Sequence, residues 1–171
     1  MPAKKTIIFV CTGNVCRSPM AAGLFYDKLV RANAAGSVRV RSAGTWALEG
    51  QPASAYALQV MAERDLDIST HHGRNLTQAD VDDADLILVM TLRHKEAIAQ
   101  DFDGTDGKVH LLSALAGPSY DIQDPYGGSI IEYRRTAAEL ADLIERGYPR
   151  LMELLGQQKE HPAAGSEPAA G

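Results

Sequence analysis

The chain has 171 residues, a formal net charge of −5 and 45% hydrophobic residues. That size suits one domain with a hydrophobic core of its own. The acidic balance removes the overall basic character that nucleic-acid binding uses, so any basic chemistry must be local. The apolar runs "TIIFV" and "LILVM" are too short to span a membrane. The N-terminal stretch "MPAKKTIIFV" has too short an apolar run for a signal peptide. A cytoplasmic protein is expected, with no membrane and no nucleic acid among its partners. In that compartment two cysteines are expected as thiols rather than as a structural disulfide.

In chain order, "KTIIFV" (5–10) predicts a buried strand. "SPMAAGLFYDKLVRANAAG" (18–36) predicts a helix with Ser18 as N-cap, Pro19 in its first position and Gly36 at its end. "SVRVRSAGT" (37–45) alternates as a strand, and "SAYALQVMAERDLD" (54–67) reads as a helix. "LTQADVDDA" (76–84) predicts a short helix capped by Thr77, followed by a strand over "DLILVM" (85–90). A helix over 93–102, a strand over 108–112 and a long amphipathic helix over 129–156 complete the pattern. Tyr133 and Tyr148 are expected on the exposed side of that last helix. Strands alternating with helices predict an α/β three-layer sandwich. Its centre would be a mostly parallel four-stranded sheet with helices on both faces. The domain is expected over residues 1–156. Residues 157–171, "QQKEHPAAGSEPAAG", read as a disordered tail.

The stretch "FVCTGNVCRSPMA" (9–21) sits between the first strand and the first helix and contains both cysteines of the chain, Cys11 and Cys16. In an open α/β sheet, ligands bind beyond the carboxyl ends of strands. Successive backbone N–H groups of Thr12, Gly13, Asn14, Val15 and Cys16 can form an anion nest, and the helix N-terminus adds free N–H groups. Gly13 permits a positive φ and Asn14 tolerates one. Arg17 can present two parallel donors to a phosphate. The loop is built for a tetrahedral oxyanion. A thiol near a helix N-terminus and a cation favours its thiolate form. Cys11 at the base of the cradle is then placed for in-line attack on phosphorus. Ser18 can hydrogen-bond the sulfur and help it leave in a second step. Cys16 is either a buried inert cysteine or a partner that traps an oxidised Cys11 as a disulfide. A zinc pair is disfavoured: four residues separate the cysteines, and further ligands would have to come from His71, His72 or His94. No Gly-Lys-Ser/Thr follows, so the loop is not a Walker A motif.

The segment "VCTGNVCRSPMA" resembles the phosphate loop of the low-molecular-weight protein tyrosine phosphatase family, with its Cys-x-Gly-Asn-x-Cys-Arg-Ser-Pro pattern. The resemblance continues at "SAGT" (42–45), "THHGRNLT" (70–77), "ADLILVMT" (84–91) and "DPYGGS" (124–129), covering about residues 5–155. It implies a phosphatase working on a phosphorylated protein through a phosphocysteine. Inorganic phosphate would be product and inhibitor, and neither metal nor other cofactor would be needed. It implies that Cys11 is the nucleophile and that Arg17 binds phosphate and stabilises the transition state. Asp124 would protonate the leaving group and then activate water, with Asp121 as the competing carboxylate. Ser42 and His71 would support Asn14. Val15, Trp46 and Tyr126 would form the substrate pocket, and no role passes to His72.

The flanks "DPYGGSIIEYRRT" and "LILVMTLRHKEAI" are similar to a bacterial branch that includes protein arginine phosphatases. Those typically carry threonine at the fifth loop position, where this chain has Val15. Val and Thr share a shape, but only Thr can hydrogen-bond. The loop therefore points to phosphotyrosine, with phosphoarginine as the alternative. An arsenate reductase on the same scaffold would need further cysteines near residues 80–90, which hold none. A phosphocarrier domain would have no use for an Arg17–Asp124 pair. A phosphate-binding module would need neither Cys11 nor Asp124.

Overall fold

The computed structural model describes residues 3–157. Four strands, β1 (Lys5–Cys11), β2 (Val38–Gly44), β3 (Leu86–Val89) and β4 (Val109–Leu111), form one sheet in the order β2-β1-β3-β4. Every pairing in it is parallel. Helices α1 (Arg17–Arg31), α2 (Ala55–Ala62), α3 (Gln78–Asp83), α4 (Leu92–Asp101) and α5 (Ile130–Gln157) complete the chain, with a single 3₁₀ turn at Ser113–Leu115. The expected tail lies outside the described residues, save for Gln157 at the end of α5.

Alternation along β1 builds two cores. Ile7, Phe9 and Cys11 pack with buried residues of α1, α2 and α5. Ile8 and Val10 point the other way, with Val81 of α3 and Ile98 of α4. This is the expected three-layer sandwich with helices on both faces. Phe25 of α1 stacks obliquely against Phe9, with ring centroids 5.6 Å apart, and against Tyr148 of α5 at 6.3 Å. Tyr148 is therefore partly buried under α1, not free on the surface as expected.

Helix ends differ from the expectation at α1. Its N-cap is Cys16, with no side-chain cap; Ser18 lies inside the first turn, and its hydroxyl is used elsewhere. Pro19 is the third helical residue. The helix stops at Arg31, five residues before Gly36. Asn33 takes φ 56°, its N–H reaches the Val30 carbonyl and that of Ala34 the Leu29 carbonyl. That double closure ends a helix with Asn in place of Gly. Helix α2 is capped by Ser54 as its position suggests, but ends at Ala62 rather than residue 67, and Asp65 turns at φ 60°. Thr77 caps α3 as expected, through a full capping box with Asp80.

The sheet positions the Cys11 loop by pairing it with β2. Cys11 lies opposite Gly44, and beyond the strand Thr45 N–H donates to the Cys11 carbonyl and Trp46 N–H to the Thr12 carbonyl. A Cβ at Gly44 would collide with that Thr12 carbonyl and crowd Ala47. Glycine is required here by close backbone approach, not by an unusual φ. Gly44→Ala is expected to lower stability by about 1–3 kcal/mol and to weaken binding of inorganic phosphate. Denaturant unfolding and calorimetric titration measure the two effects. Unchanged phosphate affinity would show that the end of β2 does not set the loop.

Candidate active site

The loop from Cys11 to α1 is held at Asn14, which is fully buried and adopts φ 57°. Its side-chain amide donates to Ser18 Oγ at 2.8 Å and to Ser42 Oγ at 3.0 Å. Its side-chain oxygen accepts the Arg74 backbone N–H at 3.0 Å, and its carbonyl lies 2.6 Å from His71 Nε2. A carbonyl only accepts, so His71 carries its hydrogen on Nε2. Burial, opposed by this bond and helped by neighbouring His72, holds the His71 pKa below its ordinary value. Ser42 and His71 thus meet Asn14 as the resemblance implied. Arg74 is a further partner that the sequence did not single out. Its guanidinium reaches the Ser42 carbonyl and forks onto Asp80, whose other bonds form the α3 cap. Burial alone would raise the Asp80 pKa; Arg74 and Thr77 outweigh it and hold the carboxyl below its usual range.

Cys11 is buried with its sulfur 2.9 Å from Ser18 Oγ. Asn14 already donates to that oxygen, so the Ser18 hydroxyl hydrogen points elsewhere, with the Cys11 sulfur as the nearer acceptor and the Ala43 carbonyl, at 3.5 Å, as the farther one. Arg17 is 4% exposed. One terminal nitrogen donates to the Ile122 carbonyl at 2.8 Å, and the other lies 3.4 Å from Asp124. Its Nε has no hydrogen-bond partner among the described residues. A buried guanidinium N–H left without an acceptor is uncommon and calls for an anionic ligand.

Asp124 is half-exposed and accepts the Tyr126 N–H at 3.1 Å, a local turn around Pro125. Asp121 is directed elsewhere: it accepts the Leu92 N–H at 2.8 Å and so holds the start of α4. Between them Ile122 donates to the Met90 carbonyl, anchoring the Asp124 loop to the end of β3. A cavity of about 520 Å³ joins these groups. Cys11, Thr12, Gly13, Val15, Cys16, Arg17 and Asp124 line its floor, and Trp46, Leu48 and Tyr126 its mouth. Trp46 is 73% exposed and Tyr126 70%. Arg17 and Asp124 are the charged residues among the lining, so above the anion cradle the walls are uncharged.

Cys16 lines the same cavity as Cys11 and is held by two hydroxyls. Its sulfur lies 3.3 Å from Ser54 Oγ and 3.2 Å from the Tyr133 hydroxyl. Burial, eased by these two hydroxyls but reinforced by Asp124 and Cys11, pushes its pKa up. Tyr133, expected on the surface, is 3% exposed, and burial together with the Cys16 contact pushes its own pKa up to about 12. A disulfide to Cys11 would require this pair of contacts to break. The available signal for Tyr133 was its spacing with Ala137, Leu140 and Ile144, which puts it on the buried face of α5. Thr12 has a partner that the sequence also missed, since its hydroxyl lies 2.8 Å from Nε2 of buried His94. The available signal was Thr91-x-x-His94, a capping-box spacing with histidine in place of an acid.

The family model described as low molecular weight phosphotyrosine protein phosphatase matches residues 6–161. A protein-arginine-phosphatase of Geobacillus stearothermophilus is 40% identical over 141 residues, which are 82% of this chain and 91% of that one. The probable low molecular weight protein-tyrosine-phosphatase EpsP of Ralstonia solanacearum is 38% identical over 150 residues, 88% of this chain and 98% of that one. Among solved structures, a cysteine-to-serine variant of the YwlE arginine phosphatase, with a phosphorylated active-site serine, matches at a TM-score of 0.80. It shares 39% identity, over 86% of this chain and 95% of that chain. Loop, fold and extent of match agree, and the chain belongs to the low molecular weight phosphotyrosine protein phosphatase family.

Proposed function

We propose that the protein hydrolyses phosphotyrosine in phosphorylated proteins through a phosphocysteine on Cys11. The observation that carries this reading is the unpartnered, buried Nε–H of Arg17 in a cavity shared with the Cys11 sulfur and Asp124. Phosphate oxygens would take the loop N–H groups of Thr12 to Ser18 and the open edge of Arg17. The Cys11 thiolate attacks phosphorus; a P–S bond forms as the bond from phosphorus to the tyrosyl oxygen breaks. Asp124 delivers a proton to the departing oxygen. It then takes a proton from water, whose oxygen attacks phosphorus, and the P–S bond breaks. Inorganic phosphate and the Cys11 thiolate result, the latter accepting a hydrogen bond from Ser18. Inorganic phosphate, bound by the same donors, acts as a product inhibitor.

The exposed, uncharged Trp46, Leu48 and Tyr126, which line the cavity with Val15, suit a phenyl ring, which needs no polar partner. The second reading, phosphoarginine, rests on the 40% identity to a protein-arginine-phosphatase. It lacks the hydroxyl that Val15 cannot provide.

Cys11→Ser is expected to abolish steady-state turnover of a phosphotyrosine peptide while the protein still binds phosphate. Turnover that persists would exclude the covalent route. Asp124→Ala should lower kcat by roughly 10²–10⁴-fold. The loss should be smaller for aryl phosphates whose leaving group needs no proton, and an equal loss on both would remove Asp124 as the acid. Assayed side by side, the wild type should prefer a phosphotyrosine to a phosphoarginine peptide, and Val15→Thr should shift the ratio toward phosphoarginine. A wild type that prefers phosphoarginine would reverse the substrate assignment.

A further inference from the structure

The reaction scheme leaves His94 unused, although it is buried against the loop that holds phosphate. His94 is the third residue of α4, and its Nδ1 lies 3.2 Å from the Thr91 backbone N–H. A backbone N–H can only donate, so Nδ1 bears its lone pair. A neutral imidazole then carries its hydrogen on Nε2 and donates it to Thr12 Oγ1 at 2.8 Å. The Thr12 hydroxyl hydrogen is thereby released from His94, and Thr12 borders the cavity beside Cys11. The Thr91 hydroxyl accepts the His94 N–H in return, which fixes the ring to the helix start. This chain of contacts reaches the loop from β3 and α4, whereas the Asn14 contacts reach it from β2 and the segment around Arg74.

We propose that His94 is a positioning residue for phosphate binding, which as a neutral Nε2–H donor fixes Thr12 so that its hydroxyl donates to a bound oxyanion. The proposal rests on the phosphatase reading above. Protonation of His94 would place a hydrogen on Nδ1, facing the Thr91 N–H, and break the cap. The charged groups around the ring are Arg17 from α1 and Asp121 and Asp124 from the acid loop. Burial first, then Arg17, push its pKa down, the two carboxylates oppose them, and it settles at about 4. The unfolded chain takes up this proton near pH 6.5 and the folded chain only near 4. The unfolded state binds more protons in that window, so stability rises with pH from about 4 to 6.5. His71 and His110 are also shifted down, so the readout is the difference between wild type and a His94 variant. That difference should change across the window; a difference constant with pH would mean that His94 is not held neutral.

The decisive comparison uses His94→Gln, His94→Asn and Thr12→Val. Gln keeps a donor within reach of Thr12 and gives up the cap acceptor; Asn keeps the cap acceptor and gives up the reach. Affinity for inorganic phosphate is measured by calorimetry, and kcat and KM with a phosphotyrosine peptide. His94→Asn and Thr12→Val should each weaken phosphate binding roughly three- to tenfold, with KM rising by a similar factor and kcat changing less. His94→Gln should stay near wild type, and the double variant Thr12→Val with His94→Asn should lose no more than either single variant. Wild-type affinity in His94→Asn with loss in His94→Gln would reduce His94 to a helix cap and overturn the proposal. So would unchanged affinity in all three. A wild type without turnover on the phosphotyrosine peptide would overturn the phosphotyrosine reading instead, while the phosphate affinities would still decide the link.

Discussion

Asn14 is the constraint on which the site depends. Its left-handed backbone reverses the chain between strand and helix so that consecutive N–H groups can converge. For a residue other than glycine such a conformation costs on the order of 1–3 kcal/mol. Its four hydrogen bonds, to Ser18, Ser42, Arg74 and His71, are buried or part-buried. At about 1 kcal/mol each they outweigh that cost. The same residue reaches Cys11 through a single intermediate, since the hydroxyl it donates to is the one beside the Cys11 sulfur. Loop shape and sulfur environment are therefore set together.

Around this centre the chain divides the work between rigid and local elements. Cys11 and the loop after it sit at the end of a central strand, where β1 is flanked by β2 and β3. Asp124 comes from a loop tied down by Ile122 on both its backbone groups, with Asp121 bound to the start of α4. The two aspartates look alike in sequence and do different jobs because only one lies past the Ile122 anchor. Arg17 spans the two parts, touching the Ile122 carbonyl and the Asp124 carboxylate.

What the sequence made legible follows from how far apart the interacting residues lie. The cradle was readable because Cys11 to Ser18 are contiguous and each residue type has a reason to be there. Strands showed themselves by their apolar runs, and Thr77 by local cap chemistry. The contacts of Gly44, Tyr133 and His94 were not legible, because they lie across the sheet or between helices. Nothing near Gly44 says that the Thr12 carbonyl passes against it. Ser18 misled for a related reason: it suits a cap by type, but Asn14 and Cys11 compete for its hydroxyl and win. Asn33 ended α1 early where the sequence offered the more familiar Gly36.

The hydrogen bond between Tyr133 and Cys16 joins residues 117 positions apart. During synthesis, both thiols leave the ribosome long before the tyrosine that shelters one of them has been made. A nascent chain therefore carries two neighbouring cysteines with neither the hydroxyl of Tyr133 nor the wall of α5 to separate their fates. Closure of the last helix is the step that sets them apart, leaving one sulfur beside Ser18 and the other between Ser54 and Tyr133. Oxidative damage to newly made protein and to mature enzyme should then follow different chemistry, because the order of synthesis leaves the site unguarded at its start.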